Sequence, residues 1–355
     1  MKRRNYIQLI AAVGLVTVMV VAIGTSCAAP AVAPDTAPTS ETQPAAEVFT
    51  WRVQAAFAPV QTADLIRPWL DSIEAASGGR MIFDLYSGGE LVPDEQVVQA
   101  AQQGSIDMIM MCSPQMAVPV DIADLDASQA FAWDNAMEIV TLSYAKGLNE
   151  IFAESYEELG DIKVLGAWVT DPGHLLTSKP ITSYEDLNGL KISGHKNLTY
   201  PLVAAGASAV MLPFEEFYLA GQTGVLDGLC WCGATEAYTN GWYEVFPYML
   251  DPPIMGGFRG VWCINEDAWE ELPNDLQAIV EMSMWENMAR KLVYYYDGEI
   301  RYREAFTITT LPDEDWDRLK ATAYARWDEE AEKSPRAAEA VQIIKDYRAE
   351  LEAAK

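Results

Sequence analysis

Three short apolar runs separated by helical patterns constrain the fold of this chain more than any other feature in it. Phe49 to Gln54, Met81 to Tyr86 and Ile106 to Met111 read as strands. The last is almost unbroken in apolar residues, as a strand buried on both faces must be. Between the first two, Leu65, Ile66, Trp69, Leu70 and Ile73 recur at helical spacing until Ser77-Gly78-Gly79 ends the helix, with Pro68 an awkward element in its first turns. Between the second and third, Pro93 to Gln103 reads as a short helix with Val97, Val98 and Ala101 inward and Gly104 as its stop. This is a βαβαβ unit and predicts an α/β fold. Open parallel sheets take ligands beyond the carboxyl ends of their strands, so a site is expected at Gln54 to Pro59, Ser87 to Glu90 and Cys112 to Gln115.

A second unit follows. Lys163 to Val169 is strand-like, Ser183 to Leu187 a helical turn, Leu190 to Ser193 a short strand and Asn197 to Ala205 a helix ended by Gly206. Phe214 to Gly221 is another helix, and Val225 to Cys232 and Val261 to Asn265 are further strands. Leu276, Ile279, Val280, Met284, Met288 and Leu292 mark a long amphipathic helix. A last helix is predicted with Ser334 as its N-cap and Pro335 in its first position. Two lobes with several crossings between them fit a hinge-closing receptor.

The N-terminus points to export. Lys2, Arg3 and Arg4 precede an apolar run, Ile7 to Ile23, that closes on Gly24, Thr25, Ser26 and Cys27. Residues 1–27 are read as a signal peptide with a lipobox in which Cys27 is acylated, so the protein is placed in the periplasm or on the outer face of the cytoplasmic membrane. Residues 28–47, rich in Ala, Pro, Thr and Glu, carry no hydrophobic period and read as a disordered tether. The remaining length suits two domains. They are divided as 48–170 plus about 263–309 for lobe 1, and 171–262 plus about 310–355 for lobe 2. A formal net charge of -28 argues against nucleic acid and against an anionic lipid surface, both of which require clustered cations. No cofactor is implied. Cys112, Cys230, Cys232 and Cys263 are expected to be buried thiols, because one residue between Cys230 and Cys232 suits neither a zinc knuckle nor a redox pair.

Four motifs in order carry a resemblance over nearly the whole chain after the tether. "YSGGELVPDEQVVQAAQQGSIDMIM", "KPITSYEDLNGLKI", "LPFEEFYLAGQTGVLDG" and "NEDAWEELPNDLQAIV" resemble the solute receptors of tripartite ATP-independent periplasmic (TRAP) transporters, nearest to the 2-oxoacid and lactate branch. The resemblance implies a two-lobed periplasmic-binding-protein fold with an interlobe cleft, hinge strands and C-terminal helices. It implies capture of a small organic solute, by default a carboxylate or 2-oxoacid, and delivery to TRAP membrane permease subunits without any chemistry.

The ligand positions depart from that family. The arginine that usually forks onto a substrate carboxylate is here Ser193, a geometry serine cannot reproduce. Cys230 and Trp231 follow Asp227-Gly228 where the metal-using branch has Glu-Trp, and Met255 takes the place of its later glutamate, so no metal is expected. Arg259 is the first replacement for the arginine and His195 the second, with Lys196 a third. Phe57, Cys112, Trp133, Trp168 and His174 complete the expected site, and Trp262 is a further aromatic candidate. If the aromatic residues line the site, a neutral or aromatic solute replaces the carboxylate. An enzyme is excluded by the absence of a Gly-x-Ser-x-Gly elbow or a His-Glu-x-x-His helix, with only two histidines, His174 and His195, in the chain. The other alternative is presentation of the ligand to a membrane sensor.

Overall fold

Residues 47–112 and 118–354 are described by a computed structural model. Cys27, the leader, most of the tether and residues 113–117 lie outside them.

Two sheets organise the chain. The first takes strands β1 (Phe49–Gln54), β2 (Met81–Tyr86), β3 (Met108–Met111) and β4 (Ile162–Val169). The second takes β5 (Gly173–Thr177), β6 (Lys191–Gly194), β7 (Ser208–Ala209), β8 (Gly228–Cys230) and β9 (Tyr248–Met255). Then β10 (Arg259–Asn265) returns to the first sheet, and β11 (Thr307–Thr309) closes the second. The orders are β2-β1-β3-β10-β4 and β11-β9-β5-β8-β6-β7. Strands β1, β2 and β3 are mutually parallel, as the βαβαβ reading requires, whereas β10 runs antiparallel between β3 and β4. Two mixed sheets covered by helices make this an α/β, two-lobed fold.

The crossings differ from the expected boundaries. The whole of β10, from Arg259, pairs in the first sheet, so the second crossing lies at 256–258 and not at 262. Strand β11 pairs with β9, which moves 307–309 to the second lobe. The last helix, Pro335–Ala353, packs back on the first-lobe helices Ala136–Ala145 and Leu148–Glu157. Pro68 causes no break, because it occupies the second position of the helix Arg67–Ala76, which continues a π-helical turn at Thr62–Ile66.

The second crossing is knitted to the first lobe by backbone. The Phe131 amide donates to the Ile254 carbonyl (2.7 Å) and the Gly256 amide to the Trp133 carbonyl (2.9 Å). A Cβ at Gly256 would lie 2.1 Å from the Asn135 nitrogen, so only glycine lets the two segments approach this closely. The last helix is capped as expected, with the Ser334 hydroxyl accepting from the Ala337 amide at 3.0 Å. Ser334→Ala is expected to lower stability by about 1 kcal/mol in urea denaturation, the usual worth of such a cap.

Candidate functional site

The expected site residues fall into three groups and a remainder. The first group lies at the ends of β1 and β4. Phe57 meets Trp168 edge to face at 6.2 Å, and Trp168 fixes its ring by donating from Nε1 to the Val261 carbonyl at 3.1 Å. Behind both rings sits Lys291, a residue not anticipated from the sequence. It is fully buried, with its Nζ 4.7 Å from the centroids of Phe57 and Trp168 and 5.5 Å from Trp262. Its Nζ donates to Met110 Sδ at 3.6 Å, and burial holds the amine well below the ordinary lysine range.

The second group follows β6 and β8. His195 lies flat on Trp231, with ring centroids 4.4 Å apart and planes at 25°, and Phe258 closes on its other side at 5.2 Å. Trp231 in turn meets Phe217 at 5.2 Å, and it is the one partly exposed ring of this stack. Burial lowers His195 to about 4, so its imidazole is neutral at physiological pH. Ser193 is buried on β6, and Cys230 packs so tightly that a Cβ at Gly194 would meet its carbonyl oxygen.

The third group forms where the chain first crosses between sheets. Asp171, just after β4, accepts at Oδ2 from the Gly233 amide (3.0 Å) and the Glu236 amide (3.3 Å). Its Oδ1 is buried and has no hydrogen-bond partner. Cys232 and Glu236 bring their ligand atoms within 4.8 Å of Asp171 and of one another, a set that could hold a metal ion. Glu299 arrives from the long helix Asn274–Tyr302 and accepts from the Ala234 amide. His174 donates from Nδ1 to the Leu250 carbonyl (2.8 Å), which turns its Nε2 toward Glu299 at 3.7 Å. The hydroxyl of Tyr295 is buried without a partner, and it is close enough to be shifted by Glu236 and Asp171. Gln61 of the first lobe reaches Glu236 of the second at 3.5 Å, so the cluster lies at the junction of the lobes.

Three carboxylates so close repel one another as anions. Burial and the charges of Glu236 and Glu299 hold Asp171 well above the ordinary carboxylate range, while burial raises Glu236 and Glu299 to about 7. Arg303, whose charge is felt at Glu299, is already paired with Asp251 at 2.9 Å. Burial lowers His174 to about 4, so it adds no positive charge. The cluster therefore favours whatever cation enters it. No spacing in the sequence pointed to it, because its members come from the first crossing, the segment after β8 and the long helix.

The remaining candidates are held by other protein groups. Arg259 is fully buried and forms an ion pair with Asp126. Its Nε donates to Ser143 Oγ (3.1 Å), one terminal nitrogen to Asn149 Oδ1 (3.0 Å), and its plane lies 4.3 Å from the Phe152 ring. Asp126 also accepts from the Tyr156 hydroxyl at 2.6 Å. The expectation that Arg259 meets a substrate carboxylate is thus corrected: its guanidinium is consumed in the first-lobe core. Trp133 donates from Nε1 to the Gly257 carbonyl (2.7 Å), and Met255 Sδ accepts from the Gln129 amide (3.2 Å), so both join the lobes. Trp262 is a core residue, stacked on Trp69 and bonded to Asn287. Lys196 pairs with Asp124 at 3.3 Å. Cys112 is buried at the end of β3, and Cys230, Cys232 and Cys263 are free buried thiols, as expected.

The comparisons with known proteins agree with this architecture. A TRAP periplasmic solute binding protein from Chromohalobacter salexigens, solved with bound (S)-(+)-2-amino-1-propanol, is 32% identical and superposes with a TM-score of 0.81 over 86% of this chain and 98% of that one. A second, from Pseudoalteromonas atlantica and solved with sodium and pyruvate, shares the fold at 20% identity, with a TM-score of 0.78 over 86% and 96% of the two chains. The ectoine-binding periplasmic protein TeaA of Halomonas elongata is 28% identical over 210 residues, which span 56% of this chain and 58% of that protein, under two thirds of the relative's length. Residues 58–333 match the model of the bacterial extracellular solute-binding proteins, family 7. The chain belongs to this DctP family of extracellular solute-binding proteins, not to an enzyme family.

Proposed function

We propose that the chain is the solute receptor of a TRAP transporter, tethered through acylated Cys27, and that its solute is a small organic molecule carrying a protonated amine rather than a carboxylate. The observation that carries this reading is the charge inventory of the lobe junction. Every replacement considered for the missing arginine is spent or neutral: Arg259 on Asp126, Lys196 on Asp124, and His195 lowered to about 4. Lys291 is sealed behind aromatic rings, and burial holds its amine well below the ordinary lysine range. A carboxylate brought here finds no unpaired cation among the described residues, since Arg303 is held by Asp251, and burying it unpaired costs several kcal/mol. An ammonium finds the unpartnered Asp171 Oδ1 with Glu236 and Glu299 beside it. The relative from C. salexigens, the one that is 32% identical, was solved with an amino alcohol, which supports the same class of solute here.

The physics of delivery follows from the placement. Glu236 and Gln61 belong to different lobes, so a cation bound between them favours the closed form over the open one, and a permease that recognises the closed form reads occupancy. Neutralising the cluster also lets its carboxyl groups release protons, so binding is coupled to proton loss near neutral pH.

Calorimetry and thermal shift test this directly, with 2-amino-1-propanol, 1,2-propanediol and pyruvate as probes. The amine is expected to stabilise the protein, and the diol to bind at least about tenfold more weakly, since a hydrogen bond to a charged group is worth about 1.5–3 kcal/mol. Asp171→Asn keeps the acceptor for the Gly233 amide but removes the charge, and is expected to abolish the preference for the amine without lowering the melting temperature. EDTA is expected to change nothing. Stabilisation by pyruvate and not by the amine overturns the reading, and loss of binding in EDTA assigns the cluster to a metal.

A further inference from the structure

The long helix Asn274–Tyr302 presents a face that nothing among the described residues covers. Met282, Trp285, Val293, Tyr296 and Ile300 are 76%, 55%, 69%, 72% and 65% exposed. With the exposed Ala289 they follow one another at intervals of three, four, four, three and four residues. At 3.6 residues per turn these six positions fall within a stripe about 80° wide and about 27 Å long. Scattered exposed hydrophobics are ordinary, but a continuous apolar stripe marks an interaction surface. Trp285 is held in place on it by Tyr144, whose ring lies 4.6 Å away.

We propose that this face is the two-fold interface of a homodimer, with the long helices of two copies packed antiparallel about Val293. From Trp285 to Ile300 the stripe is self-complementary about that residue. Trp285 is eight positions before Val293 and Ile300 seven after, while Ala289 is four before and Tyr296 three after. Antiparallel pairing therefore sets Trp285 against Ile300 of the second copy and the small Ala289 against the large Tyr296, with Val293 meeting itself on the axis. The polar flank of the same helix repeats the symmetry with charge. Glu286, Arg290, Asp297 and Arg301 alternate in sign and are joined within the helix as Glu286–Arg290 and Asp297–Arg301, each at 2.6 Å. Glu286 is seven positions before Val293 and Arg301 eight after, and Arg290 is three before and Asp297 four after. A two-fold axis normal to the helix pair brings like flanks together, so the register that packs the apolar layers also sets each acid opposite a base. A stripe selected only for a different partner has no reason to be palindromic in both size and sign.

The groove alongside the stripe, lined by Asp64, Leu65, Tyr294 and Tyr302, widens the contact. A stable interface buries about 800 Å² per partner, more than the stripe alone supplies, so the dimer is expected to dissociate in the micromolar range.

The test is sedimentation velocity of the purified protein from about 1 to about 200 µM at about 0.15 M salt, where the Debye length of about 8 Å screens the repulsion between two strongly acidic copies. A monomer–dimer equilibrium is expected. Val293→Glu sets two carboxylates on the axis and is expected to give a monomer throughout, with the melting temperature unchanged because the site is exposed in the single chain. Glu286→Arg with Arg290→Glu keeps the pair within the helix but opposes like charges across the axis, and is expected to weaken the dimer at least tenfold. Adding Asp297→Arg and Arg301→Glu restores opposite signs at every position and is expected to restore the dimer. A protein that is monomeric at every concentration, a dimer that survives Val293→Glu, or a half-reversal without effect overturns the proposal; the first outcome assigns the face to a different partner.

Discussion

Arg259→Leu is expected to lower the unfolding free energy by about 3–5 kcal/mol, the usual cost of removing one member of a buried ion pair. The guanidinium is surrounded by groups placed for it: Asp126, Ser143, Asn149 and the Phe152 ring. Leucine leaves the buried Asp126 carboxylate without its guanidinium, while the Tyr156 hydroxyl still donates to it. Against a total stability of about 5–15 kcal/mol for a typical domain, this removes a large share. Urea denaturation of Arg259→Leu and of Arg259→Leu with Asp126→Asn separates the pair from its parts. The double variant is expected to be the more stable of the two, because it no longer buries an isolated charge. If Arg259→Leu unfolds like the wild type and loses solute affinity instead, the arginine belongs to the binding site after all.

Lys291→Met is expected to act in the opposite direction and to stabilise the protein by about 1–4 kcal/mol, the range found when buried charges give way to apolar groups of similar volume. Three rings around the amine stabilise a cation by at most about 2 kcal/mol each in the best desolvated geometry. Burial of an ion costs several kcal/mol, and with Nζ 4.7 to 5.5 Å from the ring centroids not all three rings are at their best. Burial therefore lowers the amine's pKa in the folded protein, while the unfolded chain keeps the ordinary value. Between the lowered folded pKa and the ordinary value of 10.5, the unfolded chain binds the extra proton, so this residue makes wild-type stability rise with pH across that window. Lys291→Met removes that slope, and its gain over the wild type is largest at the acid end. Denaturation at a series of pH values reads both quantities. A variant less stable than the wild type at neutral pH means that the rings hold a charged lysine.

The sequence was legible where period and packing coincide. Strands β1 and β2 lie at the residues their pattern marks, because buried Trp51 and Val53, and buried Met81 and Phe83, alternate with more exposed neighbours at the period of two that a strand imposes. Strands β5 and β9 left no such mark. Gly173 to Thr177 follows Asp171-Pro172, a turn signature, and β9 contains Pro252 and Pro253, which argue against a strand in sequence terms yet are tolerated between β5 and β11. The candidate site was legible in its aromatic half, since Trp231 and Phe57 sit at strand ends in recognised motifs. Its electrostatic half was not. Arg259 reads the same whether it meets a ligand or Asp126, and Asp171, Glu236 and Glu299 are ordinary acids in a chain with 52 Asp and Glu until the fold brings them together.

The position of β10 bears on how such a chain reaches its native state. This strand fills the gap between β3 and β4, pairing Val261 with Met111 and with Ala167, so β4 has no partner in the first sheet until residues 259–265 have been made. The entire second sheet except β11 is inserted in between. During synthesis from the N-terminus, β3 exposes an open edge while about 150 residues emerge and β4 while about 90 do, and unpaired edges invite wrong partners. The insertion thus makes folding of the first lobe a late, long-range event, slow by the loop closure it demands. The first sheet built this way stays incomplete until residue 265 of the 355 has been made.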